Sequence, residues 1–501
     1  MSKKFVFILI FLHLAIAVPL ALTLNIWVDE ASTLYTTKSG FFQTFQNIFT
    51  DEKQAPLYFL ILSLWRKLSD SVFFAQVFSM IFSVAAIFAF ARLAKRIWEE
   101  KTAIFITAIF AFHPFLIWAS FEIRVYSLLI FLSCLLFIFF YDGCLDDEII
   151  SRKGANAQRR AQIFYVLTAV VALYTHYYLG FVLVGAFFAL LILRHFAAAK
   201  TYFMLMLAVG VAILPLFYII NLQFSDRIST FQEEKSFIEG ARTLWNHFLT
   251  FVLPTEIYPT EEITIFSVFR LWIVRVAFLA ALIVFVKNKF KVTDKIIVSF
   301  GTIFAVCAMF FLFVYFQLGV GYIETRHAAV FFVAVFVFAS AVFVKILPRK
   351  SWIFVTVLYS IFSVYGIYAL YPNLTKRGDW ARIAEYIEKN ETENQPIMMF
   401  QVYDAIALPV YYKGKNRILP DEKFFSFFIE AEAGSVESYR NQLEFIIKKI
   451  PPDVWEIWLL TNDKCEVKRT CEPLEKFIEA NYTIIEEKDF YKEKIRLLRK
   501  K

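Results

Sequence analysis

Cysteine is scarce in this chain: five in 501 residues, too few to build a disulfide scaffold. Only Cys465 and Cys471 lie in the same extramembrane region, a polar C-terminal stretch expected outside the cytoplasm, where a disulfide could persist, whereas Cys134, Cys144 and Cys307 read as buried helix residues or free thiols. An internal repeat is also lacking, which weighs against the duplicated halves common among secondary transporters. Nor is there a single basic patch. The formal charge of +8 comes from clusters spread along the chain, so no nucleic-acid partner is needed to explain it.

What the chain has in abundance is apolar length. Hydrophobic residues make up 59%, mean hydropathy is +0.59 and there are 61 Phe, against an apolar share of about half in soluble domains. The Phe content reads as lipid-facing and packing surface. Spans of roughly 17 to 25 apolar residues are expected at 5–25, 72–91, 102–120, 125–141, 162–175, 178–193, 202–221, 265–286, 296–316, 328–347 and 351–371. That is an α-helical polytopic membrane protein of about 11 transmembrane helices. Lys3 and Lys4 before the first span imitate a signal peptide, but the stretch is long and many spans follow, so it is expected to remain as a helix.

Orientation follows from the basic residues, which are retained on the cytoplasmic side. Arg92, Lys95, Arg96 and Lys101, then Arg152, Lys153, Arg159 and Arg160, then Lys287, Lys289, Lys291 and Lys295, then Arg349 and Lys350 all fall on the side of Lys3 and Lys4. The N-terminus is therefore expected in the cytoplasm.

Three stretches are not simple spans. The first outer loop, 26–71, contains Gln54-Ala-Pro-Leu-Tyr-Phe-Leu-Ile-Leu-Ser-Leu-Trp-Arg-Lys, apolar but too short to cross, with Pro56 near its helix start. It reads as a helix lying in the interface with membrane lipids. A second outer loop, 222–264, carries Trp245, His247, Pro254, Tyr258 and Pro259, and its length suits either a lid or a passive connector. From about 372 the composition turns polar. Gly378-Asp-Trp-Ala-Arg-Ile-Ala-Glu-Tyr-Ile-Glu-Lys reads as an amphipathic helix, and Pro396-Ile-Met-Met-Phe and Trp455-Glu-Ile-Trp-Leu-Leu as strands. The expected division is a membrane domain over 1–371 and a small extracytoplasmic α/β domain over 372–501.

Chemistry-bearing residues gather on the outer side. Asp29 and Glu30 stand where the first apolar segment meets water, followed by Tyr35, Lys53 and Gln54. His113, Glu122, Arg124 and Tyr126 surround the third and fourth spans; His176, Tyr177 and Tyr178, then Glu324, Arg326 and His327, come later. A carboxylate at the bilayer centre costs about 2.5–3.5 kcal/mol, so a pair at the rim keeps its charge while facing lipid-borne substrates. A histidine at a helix end is more often a capping or packing residue than a catalyst, and an arginine there is equally a residue snorkelling to headgroups. Taken together, the acids, arginines and histidines fit a different purpose. Arg matches a phosphate with a planar fork that stays charged, and a nearby carboxylate would deprotonate an acceptor hydroxyl as it attacks a sugar carbon, with phosphate leaving on the opposite face.

At this point the chain resembles the membrane glycosyltransferases of the GT-C fold, in particular the bacterial protein O-mannosyltransferase and aminoarabinose transferase family. The resemblance rests on Trp27-Val-Asp-Glu-Ala, Gln54-Ala-Pro-Leu-Tyr, Ser120-Phe-Glu-Ile-Arg-Val-Tyr-Ser-Leu, Tyr174-Thr-His-Tyr-Tyr and Arg377-Gly-Asp-Trp-Ala-Arg-Ile-Ala, in that order along nearly the whole chain. It implies a polyprenyl-phosphate-linked sugar donor, an extracytoplasmic acceptor and a place in the bacterial plasma membrane. It makes Asp29 the general base, gives Glu30 a supporting, acceptor-binding or metal-binding part, and assigns Arg124 and Arg326 to the donor phosphate. Two positions depart from the pattern: Ala55 replaces the first of two prolines, and His327 stands where relatives have Tyr. Glu30 with His176 would make only part of a divalent-metal site, and neutral hydrogen-bonding roles weigh more. A transporter or flippase of amphiphilic substrates is the competing expectation, and a membrane scaffold with a partner-binding C-terminal domain a third.

Overall fold

A computed structural model describes residues 2–52, 54–145, 155–224, 237–253, 265, 268–269, 272–273, 275–276, 294–317, 324–371, 374–376, 378–400, 406–419, 443–462 and 471–501. The span expected at 265–286, most of the loop that follows residue 253, and Lys53, Arg152, Lys153, Lys287, Lys289, Lys291, Arg377 and Cys465 lie outside these or nearly so. By its contacts the chain divides into two compact units, 1–22 with 36–370, and 23–35 with 371–501. The stretch that carries the acidic pair thus groups with the C-terminal unit.

The membrane unit is helical. Its helices are α1 (Lys3–Thr23), α2 (Val28–Thr36, shared with the other unit), α3 (Phe41–Asn47), α4 (Leu57–Arg66), α5 (Val72–Ile97), α6 (Glu100–Ala111), α7 (Pro114–Phe121), α8 (Tyr126–Phe140), α9 (Ala155–Thr175) and α10 (Leu179–Ile192). They continue through α11 (Phe196–Ala212), α12 (Leu214–Phe224), α13 (Phe237–Val252), α14 (Lys295–Gln317), α15 (Phe332–Ile346) and α16 (Trp352–Leu370). Among the described residues six helical segments are long and apolar enough to cross a membrane, or eight if each of two bent pairs counts as one span. The expected spans at 162–175 and 178–193 are helices α9 and α10, the first opening on the polar turn around Arg159 and Arg160, the second only 14 residues long.

Two expected spans are broken. α6 and α7 meet at 52° and α11 and α12 at 58°, each break lying just before a proline, Pro114 and Pro215, whose missing N–H and ring cannot continue a helix. A break inside apolar surroundings strands main-chain groups that need partners. At the α6–α7 break histidines supply them. The His113 Nδ1 accepts the Phe115 N–H at 3.1 Å as the N-cap of α7, and its Nε2 donates to the Phe251 carbonyl at 3.2 Å. His13, buried within α1, hydrogen-bonds through Nδ1 to the Ala111 carbonyl at 2.7 Å, where α6 ends. The packing around the break is aromatic, Phe90 stacking on Phe110 at 4.0 Å and Phe115 meeting Phe332 at 5.1 Å. α10 and α14 approach so closely that a Cβ on Gly185 would come within 2.8 Å of the Ile303 Cα, the small residue allowing main chain to near main chain.

The C-terminal unit holds α17 (Trp380–Asn390), β1 (Ile397–Met399), the single turn α18 (Leu408–Tyr411), β2 (Ile418–Leu419), β3 (Glu456–Asn462), α19 (Glu472–Asn481), β4 (Tyr482–Phe490) and β5 (Glu493–Lys500). Its sheet runs β2-β1-β3-β5-β4, with β1 parallel to both β2 and β3, and β5 antiparallel to β3 and β4. α17 buries Trp380, Ile383, Ala384 and Ile387, one face of a 3.6-residue period, and keeps Glu385, Glu388 and Lys389 toward water. Met398, Phe400, Ile457, Leu459, Leu474, Ile478 and Leu498 form a core between sheet and helix. Cys471 is disulfide-bonded, while Cys134, Cys144 and Cys307 are free and buried, as their sequence surroundings implied.

Candidate active site

Asp29 and Glu30 occupy the second and third positions of α2. The Glu30 carboxylate turns back to accept the Trp27 N–H at 3.3 Å, half of a capping box that satisfies an orphan donor of the helix start. Its second partner is Lys376, whose ammonium donates to Glu30 Oε2 at 2.8 Å with both side chains out of water, at 0% and 4% exposure. Asp29 stands one helical step away and is half-buried, its carbonyl accepting the Thr33 hydroxyl at 2.9 Å.

The segment ahead of this turn is tied to the same unit. Asn25 Nδ2 donates to the Gly378 carbonyl at 2.6 Å, and the Ile26 N–H donates to the Tyr411 hydroxyl oxygen at 2.6 Å. Burial pushes the Tyr411 phenol well above its usual range, so it stays protonated. Gly378 is needed where it stands, because a Cβ would meet the Trp380 indole nitrogen at 2.6 Å. Asp379 is buried and pairs with Arg382 at 2.6 Å. Tyr35, at the far end of α2, is more than half exposed.

The polar residues of the membrane unit form a second cluster. Arg124 Nη1 lies 3.2 Å from Glu52 Oε2, both side chains nearly closed to solvent. Glu52 also accepts the Thr36 hydroxyl at 3.3 Å and Gln54 Nε2 at 3.5 Å. The Tyr177 hydroxyl donates to Gln223 Oε1 at 2.8 Å, and Gln223 Nε2 donates to the Gln54 carbonyl at 3.0 Å. His176 sits in the turn between α9 and α10, with its ring 5.2 Å from that of Tyr178. Burial, and after it the positive charge of Arg124, push the His176 imidazole down to about 4, so it is neutral at physiological pH.

Arg326 pairs with Glu324 at 2.5 Å, and His327 Nδ1 accepts the Glu324 N–H at 3.0 Å. His247, on α13, shares a 3.0 Å hydrogen bond with the Thr325 hydroxyl. Glu122 is buried and its carbonyl accepts the Ser79 hydroxyl at 2.5 Å. Tyr126 packs against Trp118 with ring centroids 4.9 Å apart. The structure therefore groups Glu52, Gln54, Arg124, His176 and Tyr177, and brings Glu324, Arg326 and His327 alongside, with His327 in electrostatic reach of His176 and Arg124, while His113 serves the α6–α7 break. Among the described residues no group of three His, Cys, Asp or Glu side chains is arranged to hold a metal ion, and the Glu30 carboxylate already faces an ammonium.

Sequence reasoning missed Glu52 and Lys376, the partners of its two most telling charges. Each adjoins a motif that it did quote: Glu52 comes just before Gln54-Ala-Pro-Leu, and Lys376 just before Arg377-Gly-Asp-Trp.

No protein-family model and no curated protein matches the sequence. Solved structures do. The structure of apo ArnT from Cupriavidus metallidurans superposes with a TM-score of 0.54 at 13% identity, over 97% of this chain and 97% of that one. ArnT from the same organism bound to undecaprenyl phosphate gives a TM-score of 0.44 at 12% identity, covering 99% and 98% of the two chains. The Archaeoglobus fulgidus oligosaccharyltransferase tethered to an acceptor peptide gives 0.48 at 12% identity, covering 96% of this chain and 72% of that one. Only the first exceeds one half, and at such identity it speaks for fold alone. On that ground the resemblance read from the motifs holds: this is an α-helical polytopic membrane protein with the GT-C fold of a membrane glycosyltransferase and a small C-terminal α/β domain.

Proposed function

We propose that the protein is an inverting glycosyltransferase that moves a sugar from a polyprenyl phosphate to a lipid, glycan or protein acceptor on the outer face of the bacterial plasma membrane, with its N-terminus in the cytoplasm and its C-terminal domain outside. The observation that carries this reading is the division of labour within the acidic pair. Glu30 is closed to solvent, bound by Lys376 and used as a cap, whereas Asp29 is only half-buried and so within reach of an acceptor. A fold of this kind hosts sites rather than dictating them, so the chemistry is argued from the residues.

In the proposed reaction the Asp29 carboxylate takes the proton of the acceptor hydroxyl. The freed oxygen forms its bond to the anomeric carbon as the bond from that carbon to the phosphate oxygen breaks on the opposite face. The electron pair leaves with polyprenyl phosphate and the anomeric configuration inverts. Arg124 and Arg326 supply positive charge for the leaving phosphate. Arg124 is oriented by Glu52 and Arg326 by Glu324, and the planar guanidinium, which stays charged, matches the oxygens of a phosphate. A neutral His176 next to Arg124 accepts or donates a hydrogen bond without adding charge. The disulfide at Cys471 supports an oxidising compartment for the C-terminal domain.

Asp29→Asn tests the assignment. It removes the base with little change of shape, so turnover falls about a hundredfold to ten-thousandfold, the usual worth of a general base, while donor affinity stays within a few-fold. Near-normal turnover in this variant excludes Asp29 as the base.

A further inference from the structure

We infer that Lys376 is a positioning residue for transfer: it acts through Glu30 to hold the first turn of α2, and with it Asp29, in one orientation. The inference rests on the glycosyltransferase reading and adds a residue that the motifs do not contain.

Asn25, Ile26 and Glu30 are each bonded to residues within 376–411. Asn25 reaches the Gly378 carbonyl, Ile26 the Tyr411 hydroxyl and Glu30 the Lys376 ammonium. The first two are bonds of neutral groups, whereas hydrogen bonds to charged groups are about twice as strong. The third is also the one that cannot be lost quietly. Glu30 has no exposure and Lys376 only 6%. Removing one member of such a pair leaves a charge in a place where it cannot be solvated. Glu30 then either takes up a proton or turns outward, and its capping bond to Trp27 goes with it. Because consecutive residues of one helical turn share a rigid main chain, a displaced Glu30 displaces Asp29. General-base catalysis is sensitive to that displacement, since a misplacement of about 1 Å costs roughly a hundredfold.

The role differs from a purely structural one in what it predicts. Lys376 acts through its bond to Glu30, so its loss should lower kcat and leave donor binding in place. The fault should also be cured by restoring charge balance rather than by restoring lysine itself.

The experiment compares purified wild type with Lys376→Met, Lys376→Arg and the double variant Glu30→Gln with Lys376→Met, measuring kcat, donor KM and retention of a monodisperse folded species. The expected result is a kcat at least tenfold lower in Lys376→Met with KM within threefold of wild type. Lys376→Arg should return to within threefold of wild-type kcat, and the double variant should turn over at least fivefold faster than Lys376→Met. The inference is overturned by a wild-type kcat in Lys376→Met, or by a loss that neither partner change relieves. If Lys376→Met does not fold, Lys376→Arg decides: kcat within threefold supports the inference, and a tenfold loss in a folded variant overturns it. Wild-type turnover separates the two claims, for a wild type that consumes no polyprenyl-phosphate sugar defeats the glycosyltransferase reading, whereas normal turnover in the variants defeats only the part given to Lys376.

Discussion

At Asp29 and Glu30 two chemically similar side chains, neighbours in the chain, differ in burial: Glu30 is closed to solvent and Asp29 is half-buried. The sequence places both at the rim of a span and cannot rank them by itself, because the partner that engages Glu30 lies 346 positions away. The same holds for Arg124, whose acid is Glu52, 72 positions earlier. Residue types and their places at the ends of apolar segments are legible from pattern; pairings between distant segments are not, since nothing local encodes them. His176 offers a test at this scale. Burial, and after it the charge of Arg124, push its imidazole down to about 4 in the folded chain, against an ordinary value of 6.5. A group with a depressed folded value is favoured neutral, so below pH 6.5 the unfolded chain binds the proton first. The stability this group contributes is then present above about 6.5 and lost as pH falls towards 4. His176→Asn should show a smaller fall in Tm between pH 7 and pH 5 than wild type, measured in detergent; an unchanged pH dependence contradicts the assigned environment.

The elements of the chain were legible where periodicity was clean. α17 shows its apolar face at the helical spacing, and β1 and β3 are short apolar runs that the sheet buries. β4 was not legible. Tyr482–Phe490 is exposed along nearly all its length and carries Glu486, Glu487, Lys488 and Asp489, so neither alternation nor an apolar run marks it, and only pairing with β5 makes it a strand. The two broken spans were hidden for a related reason: hydropathy averages over Pro114 and Pro215, and length alone reads through them. Helix packing adds a prediction. Gly185→Leu should destabilise the α10–α14 crossing by about 1–3 kcal/mol, the usual cost of overpacking, read as a lowered Tm. The obstruction is the Ile303 main chain, its Cα at 2.8 Å and its carbonyl oxygen at 3.2 Å from the added Cβ. Ile303→Ala should therefore fail to restore the Tm, and recovery by that trimming would contradict the close approach described.

For the molecule as a whole, composition alone required a multi-pass membrane protein, and ordered motifs pointed to the GT-C fold that the superposition on ArnT bears out over 97% of the chain. What sequence order concealed is the affiliation of the stretch 23–35. It lies next to the first span in the chain yet packs with residues 371–501, so the C-terminal unit carries the acidic pair as part of its own structure. The claim that rests on all of this is that the protein transfers sugar. It is tested most directly by incubating the purified protein in detergent or proteoliposomes with a panel of polyprenyl-phosphate sugars, and scoring donor consumption and new glycosidic bonds by mass spectrometry. The account predicts that at least one donor is consumed, with release of polyprenyl phosphate and a product of inverted anomeric configuration. Movement of the donors across the bilayer with no new glycosidic bond, or full recovery of every donor unchanged, would contradict it.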